Sequence, residues 1–219
     1  MKFGIMNLFP ADEGNDHQIV RETLEEIQIA DDLGYDSCWL AEHHFSRYGI
    51  LGNPLMLRHP LEAGVRVIGA HCANLGESPD LDADADPARA PRLRNFDLFA
   101  RLMREPRYAK LLHGDLSAVT QANRAETVPT ILATTPWHGR LLNGSDYPLP
   151  GIMPVFSVQG LARDGLLEDS AVAVLQELRH VNPLLFDFVL KRSLSWKGAR
   201  LPAKVFETRG FFDRAAGRA

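Results

Sequence analysis

Apolar and polar positions along the chain alternate between two periods, and the switches between them mark out the elements. Lys2 to Leu8 is short and apolar, the pattern of a buried strand. From His17 to Gly34 the apolar residues Ile19, Val20, Leu24, Ile27, Ala30 and Leu33 recur near the helical period, with Asp16 placed to cap the start and Gly34 the end. Ser37 to His44 reads as a second strand ending in polar groups, so the opening is a βαβ unit, which implies parallel pairing. Val65 to His71 is a further β-branched run that ends in histidine. The segment 73–93, with Asp-Ala repeats and three prolines, reads as a mobile loop.

Beyond it, Phe96, Leu98, Phe99, Leu102 and Met103 give Asn95–Arg104 the apolar face of a helix. Leu111–Ser117 follows as a strand, Thr127–Thr134 as a helix, and Arg140–Asp146 as a fifth strand. From Ser157 onward the pattern is helical, most strongly over Asn182–Arg192. The fold class implied is α/β with a parallel sheet of (β/α) barrel type. About five strands fall short of the eight that a closed barrel takes, so the barrel is expected to be incomplete or chimeric.

Composition agrees with a globular protein: of 219 residues, 45% are hydrophobic and 24% charged. A net charge of −4 gives no reason to expect nucleic acid or an acidic membrane surface as a partner. No apolar run approaches the roughly 20 residues of a membrane span, and the opening residues lack a signal peptide's apolar stretch. Cys38 and Cys72 form no disulfide framework, which suits a reducing cytoplasm. Charge divides the chain: residues 1–57 carry three Lys/Arg against ten Asp/Glu, whereas 58–219 carry 21 against 18.

Motifs change at the same place. Glu42-His43-His44-Phe45, followed by Gly49-Ile50-Leu51-Gly52-Asn53-Pro54, resembles the second-strand motif of the luciferase-like flavin monooxygenases, and the resemblance covers about residues 1–55. It implies a flavin cofactor and places His44 beside it, assisting proton movement. The remainder, about residues 58–210, resembles the amidohydrolase superfamily. Its landmarks are His59-Pro60-Leu61-Glu62-Ala63-Gly64, Ala70-His71-Cys72, His113-Gly114-Asp115-Leu116-Ser117-Ala118, Asn143-Gly144-Ser145-Asp146-Tyr147-Pro148 and Asn182-Pro183-Leu184-Leu185-Phe186.

That second resemblance implies a divalent metal, zinc by preference. His71 would be a metal or carbonyl ligand, Asp146 a metal ligand and general base, and Asp115 a support behind them. The family's first-strand His-x-His occurs nowhere in the chain. The expected division is therefore a luciferase-like piece over 1–57 and an amidohydrolase-like barrel portion with a helical C-terminus over 58–219. The leading expectation is a metal-dependent hydrolase acting on a small molecule, with decarboxylase chemistry open within the same superfamily. Its alternatives are a flavin-dependent monooxygenase and a non-catalytic fusion or relic. A homo-oligomer is expected because parallel strands leave open edges. The other histidines have structural readings: His113 inside a strand, His180 at an exposed helix end, Trp137-His138 packed. Asp80–Asp86 lacks the Gly and distal Glu of a calcium loop and reads as a solvated acidic turn.

Overall fold

The structure is a computed structural model that describes residues 3–7, 16–40 and 53–213. The opening forms as its periodicity requires. Strand β1 (Gly4–Asn7), helix α1 (Asp16–Asp32) and strand β2 (Ser37–Leu40) make a βαβ unit in which the strands pair in parallel, Gly4 opposite Ser37 and Asn7 opposite Leu40. Gly34 ends the helix with φ +81°, a left-handed conformation that costs glycine little.

The rest of the described chain builds its own core. A 3₁₀ turn at Pro54–Leu57, capped by the Asn53 side chain, leads into α2 (Arg58–Glu62) and then β3 (Val67–Gly69). The stretch expected to be a loop contains an antiparallel pair, β4 (Glu77–Pro79) and β5 (Arg92–Arg94). Its acidic turn is also not simply solvated. Arg101 binds Asp80 through both terminal nitrogens, at 2.6 and 2.7 Å, and Arg58 forks onto Asp82. The cations that hold this turn lie outside it in sequence, so local composition did not reveal them.

Helix α3 (Asn95–Arg104) matches its expected bounds and buries Phe96, Leu98, Phe99, Leu102 and Met103. Then come β6 (Leu112–Asp115), α4 (Val128–Ala133) and β7 (Leu141–Leu142), the last far shorter than the seven residues expected. Helices α5 (Val158–Arg163), α6 (Asp169–Val181), α7 (Pro183–Ser193) and α8 (Arg209–Phe212) follow among the described residues.

The single five-stranded sheet expected from sequence is not formed among the described residues, and no barrel closes. Strands β3, β6 and β7 make a three-stranded parallel sheet with β6 in the centre, while β1 and β2 form a separate pair. The architecture is α/β with small parallel sheets. Close packing sets the sheet against α3: a Cβ on Gly69 would lie 2.6 Å from Phe99 Cε2, and one on Gly114 would lie 2.8 Å from Cys72 Sγ. Among the described residues, every member of the main hydrophobic core comes from residue 55 onward. Within the opening unit, Phe3, Met6, Leu24, Ile29, Leu33, Trp39 and Leu40 remain exposed.

Candidate functional site

The C-terminal ends of β3, β6 and β7 bring His71, Asp115, Ser117 and Asp146 together, the edge where parallel sheets carry their ligand groups. The backbone there is unusual. His71, Cys72 and Ala73 have φ of 54°, 53° and 50°, and Ala118 and Asp146 have 57° and 56°. A non-glycine residue held in this region costs on the order of 1 kcal/mol or more, and such positions gather at functional sites.

Asp115 organises the cluster. Its carboxylate accepts the Ser117 backbone N–H at 3.0 Å, the His71 backbone N–H at 3.3 Å and the Ser117 hydroxyl. The His71 ring turns Nδ1 towards Ser117, 2.7 Å from Oγ and 3.1 Å from the carbonyl oxygen. Its other nitrogen, Nε2, lies 3.9 Å from Asp146 Oδ2. Burial holds the imidazole below its ordinary pKa; the Asp146 and Asp115 carboxylates oppose that shift and Arg124 adds to it.

Two functional-looking residues escaped the sequence reading. Lys191 and Asp187 on α7 lie in the core, 0% and 1% exposed in their side chains, with Nζ 2.7 Å from the carboxylate. Lys191 also donates to the Gly144 carbonyl at 2.5 Å and so ties α7 to the turn that presents Asp146. Burial raises the Asp187 pKa and lowers that of Lys191, and the ion pair counters both shifts. The available signal was a charged i,i+4 pair on the same stripe as Phe186 and Leu190.

The remaining histidines follow their structural readings. His113 Nδ1 lies 3.2 Å from the Leu111 carbonyl and its ring meets Phe211 edge-on, while buried His138 bonds the Ile131 carbonyl. His180 is exposed on α6. Glu42, His43 and His44 lie outside the described residues.

The described residues do not complete the zinc site expected at His71 and Asp146. Among the described residues, no three His, Cys, Asp or Glu side chains converge as a metal's ligands. Asp115 is turned to backbone and hydroxyl donors, and His71 Nδ1 is engaged by Ser117. Two donors fall short of the three that a catalytic zinc takes from protein.

The comparisons point the same way. The luciferase-like monooxygenase family matches residues 1–67. The chain is 34% identical over 55 residues to the alkanal monooxygenase alpha chain of Photorhabdus laumondii subsp. laumondii, covering 25% of this chain and 15% of that protein. The alkanal monooxygenase alpha chain of the Kryptophanaron alfredi symbiont gives the same figures. An uncharacterized protein of Sinorhizobium fredii is 30% identical over 57 residues, 26% of this chain and 13% of that protein. The chain thus spans about 15% of the length of the curated relatives it matches. No solved structure matches. The family found lies on the oxidoreductase side, and it overturns the hydrolase expectation.

A flavin carries a phosphate that a cationic side chain would pair. In 3–7 and 16–40 the only Lys or Arg is Arg21, so that part of the opening unit offers a single cation to a flavin phosphate. The strand-edge cluster presents carboxylates, which repel one. No helix of the described residues is long and apolar enough to cross a membrane.

Proposed function

We propose that the chain belongs to flavin-dependent monooxygenase chemistry of the luciferase-like type, with His44 as the residue beside the flavin. The observation that carries this reading is the family match over residues 1–67, which contain the parallel β1-α1-β2 unit. Strand β2 is described as far as Leu40, and Glu42-His43-His44 follows Ala41 in the sequence. A bound flavin would supply oxygen activation; the chain's own contribution would be a histidine able to hold or move a proton beside it.

Two of the relatives are alkanal monooxygenase alpha chains, so an alkanal is the first substrate to test. Oxygen uptake is followed with reduced flavin, with and without the alkanal and the chain. The reading predicts uptake that depends on both. Uptake no faster than that of free reduced flavin overturns it for this chain.

A second reading, a non-catalytic fusion, is favoured by one observation: among the described residues, the main core takes nothing from 3–7 or 16–40. It predicts that the chain neither binds flavin nor accelerates oxygen uptake.

A further inference from the structure

The proton positions around His71 follow from its partners. The Ser117 carbonyl oxygen can only accept, and the Ser117 hydroxyl proton is committed to Asp115. Nδ1 faces both Ser117 oxygens, so Nδ1 carries the ring proton. In the neutral ring, Nε2 is then a bare acceptor. It faces another acceptor, the Asp146 carboxylate, at 3.9 Å, and neither group has a hydrogen-bond donor among the described residues.

Two facing acceptors at this spacing favour a donor between them. Each hydrogen bond to a nitrogen donor spans about 2.9 Å, so one atom carrying two hydrogens can reach both acceptors at once. The mouth is open, with the His71 and Asp146 side chains 26% and 32% exposed. The charge around it favours a cation. Asp146 and Asp115 both act on His71; Arg124, bonded to the neutral Asn74 Oδ1, opposes them, and Lys191 is paired with Asp187 and donates to the Gly144 carbonyl. The left-handed backbone at His71 and Asp146 holds both acceptors in place.

We propose that His71 Nε2 and Asp146 Oδ2 form a two-point receptor for a single nitrogen donor, the ammonium group of a small primary amine. An alcohol offers one hydrogen and satisfies one acceptor. A quaternary ammonium has the charge but no hydrogens. The site therefore selects a primary ammonium over both, and Asp115 and Ser117 act as positioning residues that fix the ring's tautomer.

The test uses the full chain and long-range ¹H–¹⁵N NMR of the histidine rings. Before any ligand is added, His71 should show the Nδ1–H tautomer, and an Nε2–H tautomer overturns the proposal. Methylammonium chloride should then shift the His71 Nε2 resonance saturably, whereas tetramethylammonium chloride at equal ionic strength should not. Equal responses to the two salts would mean charge screening alone and would overturn it. Asp146→Ala should weaken methylammonium binding at least tenfold, with unchanged His113 resonances showing that the fold persists. Should that variant fail to fold, Asp146→Asn, which keeps the shape and removes the charge, serves as the second comparison. Undiminished binding in a folded variant overturns the site.

Discussion

Lys191 Nζ lies 2.7 Å from the Asp187 carboxylate, and neither side chain reaches solvent. Breaking such a pair from one side strands a charge, and this typically costs about 3–5 kcal/mol. Lys191→Met should therefore destabilise strongly, because it leaves Asp187 without its cation and Gly144 without its donor. Replacing both charges, as in Asp187→Leu with Lys191→Met, should recover much of that loss. Urea unfolding of the two single variants and the double variant measures this. Additive losses would contradict the pairing.

The Asp80–Asp82 turn gives stability a dependence on acid. The Arg58 hydrogen bond, with that of Arg101, holds the Asp82 pKa down at about 2. A depressed folded-state value means the contribution is full above the unfolded carboxylate range, about 3.9, and is lost as pH falls through 2. Wild type should melt above Asp82→Asn near neutral pH, and the two should converge as pH falls below about 4. A difference that stays constant as pH is lowered from about 4 to 2 would contradict the network.

Gly114 sits where β6 crosses Phe99 and Cys72. A Cβ there meets Cys72 Sγ at 2.8 Å and Leu141 Cδ2 at 3.1 Å, so Gly114→Ala should overpack the sheet. The expected loss is about 1–3 kcal/mol by chemical denaturation. Gly139→Ala meets nothing within 4 Å and should be close to neutral, which makes it the control.

The opening unit exposes Met6, Leu24, Leu33 and Trp39, with 68%, 61%, 72% and 48% of their surface accessible. Exposed apolar side chains gathered in one small unit favour association. The chain should form dimers or larger species by light scattering, and Leu24→Glu with Leu33→Glu should shift it towards monomer. A monomer at all concentrations would contradict this expectation.

How much of this was legible in the sequence depends on range. Elements set by local periodicity, such as α1 and Asn95–Arg104, stand where their apolar residues put them. The gathering of His71, Asp115 and Asp146 at one edge also follows, since each lies at or just after a parallel strand's end. What escaped depends on distant partners. The Asp80–Asp82 turn is ordered by Arg58 and Arg101, Ser117 matters because His71 turns towards it, and Lys191 is buried because Asp187 and Gly144 receive its protons. The hydrolase expectation rested on residue types in a familiar order. The geometry does not complete the ligand set those types suggested.

The central claim is the flavin reading of the opening segment, and direct binding tests it. Flavin mononucleotide is titrated with the full chain while its fluorescence is followed, for wild type and for His44→Ala. The account predicts saturable quenching by wild type and binding weakened by about tenfold or more in the variant, the scale of one lost charge-assisted or aromatic contact. Fluorescence unchanged by wild-type chain at every concentration would contradict it.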